Sequence, residues 1–93
     1  MIIGILQLDF SIPEARSLKE KRRAIKSVKD RIAHRWNVSV AETGDQDVWT
    51  RSVFGVAMVG SDHGYVEGAL KKIVDFSREA TDIVLDEFRI DFL

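Results

Sequence analysis

Cysteine is absent from the chain. Disulfides and thiolate metal sites are therefore excluded, and a reducing cytoplasm is the default compartment. Long apolar runs are lacking too. Nothing in the sequence approaches the roughly 18 residues that a membrane-spanning helix needs, so no membrane partner is expected. The opening MIIGILQLDF has no basic segment ahead of its apolar residues and alternates like a strand, which argues against a secretory leader. Proline occurs once, at Pro13, and there is no Gly-rich phosphate loop. His34 and His63 stand far apart with no metal-ligand spacing, so both read as surface histidines and neither a metal nor a cofactor is expected. Ser61 has no neighbouring base that the sequence identifies. No catalytic residue emerges, and the expectation is a protein that works by binding and is not an enzyme.

What is present describes an ordinary globular chain. The 93 residues are 45% hydrophobic and 31% charged, room for a single domain over 1–93 with one core. Net charge is −1, but its distribution is uneven. From Arg16 to Arg35 there are nine Lys/Arg and two Asp/Glu, an excess of +7; the remainder carries five Lys/Arg and thirteen Asp/Glu, or −8. Such asymmetry steers partners even when the total is near zero.

The basic segment is also the clearest helix. Ser17 and Glu20 form a capping-box pattern, in which the serine accepts from the Glu20 N–H and the carboxylate reaches back to the Ser17 N–H. Leu18, Ile25, Val28, Ile32 and Trp36 then make one apolar stripe. Lys19, Arg22, Arg23, Lys26 and Lys29 fall a quarter turn or more away and form a basic ridge. Lys21 alone projects into the apolar sector, where its stem is expected on the core edge with the ammonium snorkelling to solvent.

Around this helix the pattern predicts four strands and a second helix. Met1 to Ile12 alternates with a period of two and ends at Pro13. Asn37 to Thr43 is a second strand, GDQD at 44–47 is turn material, and Arg51 to Gly60 is apolar on both faces like a central strand. Gly55 within it marks a bulge or close packing. Ser61 and Asp62 offer an N-cap to a helix reaching Ala80, with Glu67–Lys71 and Lys71–Asp75 at ion-pair spacing. Thr81 to Leu93 is a fourth strand. The order βαββαβ with right-handed crossovers predicts an α+β, ferredoxin-like fold: a four-stranded antiparallel sheet, order fourth, first, third, second, with both helices on one face.

That leaves one sheet face uncovered. Strand parity assigns to it Ile3, Ile5, Gln7, Ile83 and Leu85, with Val53, Ala57 and Val59 if Phe54, Val56 and Met58 face the helices. An apolar patch of that size fits a homodimer or a protein partner through the sheet face; partial cover by long side chains is the plainer alternative.

Several segments carry a family pattern. SLKEKRR at 17–23, NVSVAE at 37–42, the trio Gln46, Asp47 and Trp49, and FGVAMVGSD at 54–62 together resemble the YlxP-like family of small bacterial proteins. The resemblance runs through nearly the whole chain. It implies a ferredoxin-like domain and, because genes of this family often lie beside those for translation initiation factor two and ribosome-binding factor A, a role near translation or ribosome assembly. It implies no activity and no binding residue.

Two surfaces follow as candidates. The ridge of Lys19, Arg22, Arg23, Lys26 and Lys29 is the place for RNA or the ribosome to dock, the alternative being a solvated helix face. The segment from Arg51 to Val56 faintly resembles the third-strand signature of RNA recognition motifs, but the first strand offers no aromatic to stack a base, so RNA contact is expected along the helix. The hairpin tip holds Glu42, Asp45, Gln46, Asp47 and Trp49. Trp49 there is either a partner anchor or a plug for the end of the sheet, and the acidic residues are explained by the turn. A small-molecule sensor of the ACT type shares the topology, but the loop from Ser11 to Arg16 has no glycine for close backbone approach.

Overall fold

A computed structural model describes all 93 residues. Strand β1 (Ile2–Ser11) leads into helix α1 (Leu18–Arg35), then β2 (Ser39–Gly44), β3 (Arg51–Gly60), helix α2 (His63–Arg78) and β4 (Val84–Phe92). The four strands form one antiparallel sheet in the order β2-β3-β1-β4, with the helices packed on one face. This is the ferredoxin-like arrangement that the βαββαβ order predicts.

Both helices start at side-chain caps. The Ser17 hydroxyl accepts from the Glu20 N–H at 3.1 Å. The Glu20 carboxylate reaches one residue further back than a capping box requires, to the Arg16 N–H at 3.2 Å. Asp62 is the cap of α2 and accepts from the Tyr65 N–H at 2.8 Å. Along α2 the Glu67–Lys71 pair forms at 3.8 Å, whereas Asp75 turns to Arg78 at 3.6 Å in place of Lys71.

The core lies between sheet and helices. Leu6, Leu8, Phe10 and Ile12 of the first strand and its extension meet Phe54, Val56 and Met58 of β3, and the helices add Ile25, Val28, Ile32, Val66, Leu70, Ile73 and Val74. Phe10 and Phe54 pack edge to face at 5.0 Å. Phe54 therefore faces the helices, and the open faces of β1 and β3 carry no aromatic ring.

The fourth strand departs from simple alternation. Asp9 opposes Glu87 but Phe10 opposes Leu85, so Asp86 is an extra residue in β4. A bulge of this kind reverses which face the preceding residues occupy. Leu85 consequently sits opposite core-facing Phe10 and packs against the core, and Ile83 is buried in it. Neither stands on the open face, where strand parity alone had put them. Val84 takes that side, paired with Ser11, and the Ser11 hydroxyl donates to Asp86. A second bulge falls at Thr43, between Glu42 and Gly44. Gly55 lies beneath it: a Cβ there would come within 2.9 Å of the Thr43 methyl. Close packing is thus the reason for glycine at 55.

Two glycines let α2 approach the sheet. A Cβ on Gly4 would lie 2.6 Å from Val66 Cγ1 and 2.9 Å from Leu70 Cδ1, and one on Gly60 would lie 2.5 Å from Val66 Cγ2. Val66 is fully buried and β-branched, so it cannot swing aside cheaply. Gly4→Ala should lower stability in urea unfolding by about 1–3 kcal/mol. The same substitution should cost less in a Val66→Ala background; an equal loss in both backgrounds would refute this packing account.

Candidate functional site

The side chain that organises one end of the molecule is Lys21. It sits at a core-facing position of α1 and is fully buried, at 0% exposure. Its ammonium does not snorkel to solvent as the amphipathic pattern alone suggests. Carboxylate and carbonyl groups of the β2–β3 hairpin close over it instead. Nζ lies 3.0 Å from Glu42 Oε2, donates to the Asp45 carbonyl, and reaches the Gln46 carbonyl at 3.3 Å. The buried Ser52 hydroxyl donates to the same Glu42 oxygen at 2.7 Å. Glu42 is placed for this because it opposes Phe54 in the ladder and so faces the helix layer.

The loop is shaped to match. Asp45 adopts a left-handed conformation with φ 56°, which asparagine and aspartate tolerate better than most residues. Gln46 Nε2 donates to the Glu42 carbonyl at 3.1 Å, and Arg51 Nε approaches Asp45 Oδ2 at 3.5 Å. Two of the three acidic side chains of the tip are therefore engaged with cations of this chain. Asp47 is exposed, and Trp49 beside it is 51% exposed.

The ridge residues lie about a quarter turn or more round α1 from Lys21, with Arg22 and Lys29 nearest to it. Lys19, Arg22, Arg23 and Lys26 are exposed and Lys29 is half-buried. Lys26 is paired with Asp30, one turn on. None of the ion pairs in the structure involves Lys19, Arg22, Arg23 or Lys29. Four of the five cations thus have no carboxylate of their own chain against them.

The other flank of α1 carries cations that the ridge pattern leaves out. Arg31 lies 5.2 Å from the Phe76 ring centroid, and Arg35 lies 5.0 Å from Trp36 and 5.7 Å from Phe76. Trp36 and Phe76 themselves pack edge to face at 5.5 Å. These contacts bind α1 to α2. His63, expected as a plain surface residue, stacks on Phe92 at 3.9 Å and is still exposed. The sequence signals for this cluster were the aromatic residues at 36 and 76, but nothing in the spacing paired them.

On the uncovered sheet face, Ile3 and Ile5 are half-buried opposite exposed Val59 and Ala57, Val59 at 58%, and half-buried Val53 stands apart from them opposite Asp9. Ser39, Ala41 and Thr43 continue this face across β2. Along β4 it turns acidic, with Asp86, Glu87 and Asp91 exposed, and Arg89 is drawn to Asp91 at 3.0 Å. Gln7 and Asp9 bond to each other at 3.1 Å in the centre.

With these surfaces placed, comparison with known proteins settles the family. The chain belongs to the family described as "Protein of unknown function (DUF503)", matching it over residues 3–90. Among curated relatives, this DUF503 chain is 39% identical over 75 residues to the uncharacterized protein YlxP of Bacillus subtilis (strain 168), a match that covers 81% of this chain and 82% of that one. Among solved structures, it is similar to a C-terminal segment of the alpha subunit of aIF2 from Pyrococcus abyssi, with a TM-score of 0.53 and 16% identity over 98% of this chain. It spans about half of that segment's length, 49%, and the likeness shows the fold. No helix is long and apolar enough to cross a membrane.

The Lys21 network makes a sharp stability prediction. Lys21→Met strips the partner from a nearly buried carboxylate and from two loop carbonyls, and should cost about 3 kcal/mol in denaturant unfolding. Pairing it with Glu42→Leu should cost clearly less than the sum of the two single losses, because the second change removes the stranded charge. Strict additivity would show that the two groups do not interact.

Proposed function

We propose that this protein acts by binding and that the basic ridge of α1 docks on the phosphate backbone of RNA, in free RNA or in the ribosome. The observation that carries this reading is the freedom of Lys19, Arg22, Arg23 and Lys29 from any ion pair within the chain. Cations already matched by nearby carboxylates have little to gain from a phosphate, whereas unmatched ones release counterions from the polyanion on docking. The role near translation that the family resemblance implies agrees with it. Sheet-face base stacking has no aromatic platform on β1 or β3, so contact runs along the helix and is insensitive to base identity.

Reversing three unpaired charges, Lys19→Glu, Arg22→Glu and Arg23→Glu, should weaken association with single-stranded RNA and flatten its salt dependence by about two units of log–log slope, with the fold unchanged by circular dichroism. Binding by the unmodified protein that ignores salt, or no binding at all, rejects the reading.

A second reading is favoured by a different observation, the apolar patch at one end of the open sheet face, formed by Ile3, Ile5, Ala57 and Val59, with Val53 set apart opposite Asp9. Two copies packed through this face would remove that surface from water. Light scattering then gives about twice the 10.6 kDa chain mass for the unmodified protein and the single-chain mass for Ile5→Glu. A monomer in both samples removes the dimer.

A further inference from the structure

The two edges of the sheet are built differently. Strand β4 closes one side with Asp86, Glu87, Arg89 and Asp91, all exposed, and charges along an edge repel an incoming strand. Strand β2 closes the other side with nothing comparable. Asn37 to Ala41 carries no charge at all, and the only charge in β2, Glu42, is spent on Lys21. Alternate residues of an edge strand turn their N–H and C=O groups outward. In β2 these belong to Val38, Val40 and Glu42; the Val38 N–H is taken by the Trp36 carbonyl at 3.0 Å and the Glu42 carbonyl by Gln46 Nε2 at 3.1 Å, so the Val38 carbonyl, both groups of Val40 and the Glu42 N–H are left as a short row for a partner. The bulge at Thr43 ends that row.

Helix α1 overhangs this edge. Arg31 and Arg35 lie on Phe76 and mark the side of α1 that faces α2. At about 100° per residue, Arg22 and Lys29 fall roughly half a turn from Arg31, on the side away from α2 and above the free edge of β2. Neither is ion-paired. The chain already contains the contact that these two cations lack. One strand position inward, Glu42 of β2 faces the helix layer and holds Lys21 of α1 at 3.0 Å.

We propose that β2 accepts an extended acidic segment of a protein partner, which adds a fifth strand to the sheet and turns its carboxylates up to Arg22 and Lys29. The added strand repeats the Glu42–Lys21 arrangement one spacing further out, about 4.8 Å away. Its opposite face runs on from Ser39 toward Ala57 and Ile5 of the open sheet, so alternating acidic and apolar residues fit both sides. A second copy of this chain is a poor occupant. Pairing β2 with β2 across a two-fold axis brings two unmatched basic flanks together. The inference goes beyond the RNA reading and rests on the backbone edge, which RNA does not use.

Amide hydrogen exchange of the whole chain, followed by NMR, tests it with a capped hexapeptide of alternating valine and glutamate. Saturating peptide should slow the outward amides of Val40 and Glu42 at least tenfold. The fully N-methylated peptide, which cannot form a ladder, and a valine–lysine peptide should leave them unchanged. Arg22→Glu with Lys29→Glu should weaken the valine–glutamate peptide at least fivefold while β2 exchange in the free protein stays the same. The proposal is overturned if the β2 amides do not respond, or if the N-methylated peptide works equally well. It is also overturned if those amides are protected without peptide as protein concentration rises, which would put a second copy on the edge. A single-stranded oligonucleotide that slowed the same amides would overturn it too, whereas an oligonucleotide that shifts only α1 resonances supports the separation of the two surfaces.

Discussion

One ammonium group ties the helix layer to the hairpin. Taking a lysine fully out of water is costly by several kcal/mol unless every donor finds an acceptor, and Lys21 finds a carboxylate and two carbonyls. Those acceptors come from residues 42, 45 and 46, so the turn can satisfy the lysine only in one shape and one register. A one-residue slip of β2 would send Glu42 to the open face and strand both charges. The left-handed Asp45, the Gln46 side chain folded onto the Glu42 carbonyl and the Ser52 hydroxyl on the Glu42 carboxylate follow from the same demand. The interaction therefore specifies how the hairpin sits beneath α1 more than it adds to net stability, since a buried ion pair gains little over a well-packed apolar pair.

At the other end, close approach does what charge does here. Val66 wedges between Gly4 and Gly60, and the first turn of α2 rests directly on the backbone of β1 and β3. The two ends of the helix layer are thus fixed by different means: α1 by a polar clamp to the hairpin, α2 by glycine-permitted contact. Between them the cation–π contacts of Arg31 and Arg35 with Phe76 join helix to helix.

Most of the architecture was legible in the sequence, because two periods, 2 and 3.6, separate cleanly along this chain. The strand order followed from connection rules alone. What alternation could not give by itself was the phase change in β4. The apolar positions shift from odd at Ile83 and Leu85 to even at Phe88, Ile90 and Phe92, and that shift across Asp86 was the trace of the bulge. The Lys21 network left a trace as well. Lys21 lies in the apolar sector of its helix, and Glu42 shares parity with half-buried Val38 and Val40. Two opposite charges at inward positions of neighbouring elements are a pairing signal, which treating Lys21 as a snorkelling side chain concealed. The contact between residues 36 and 76 had no such trace, since it depends on how two helices meet in space.

The number of basic residues in a helix is a poor measure of the charge it offers. Of the nine cations between Arg16 and Arg35, Lys21 and Lys26 are matched by Glu42 and Asp30, while Arg31 and Arg35 keep their charge but carry it on the flank that faces α2. Rotation about the helix axis decides which fate each one meets: inward for Lys21, toward α2 for Arg31 and Arg35, and away from both for Arg22 and Lys29. The positive charge without a carboxylate partner is consequently divided between the outer flank and crest of α1 and the Arg31–Arg35 flank that faces α2. The exposed acids of β4 lie on the opposite face and the opposite edge of the sheet, too far round the molecule to neutralise it. A near-neutral chain keeps a one-signed flank because the fold holds its two signs apart.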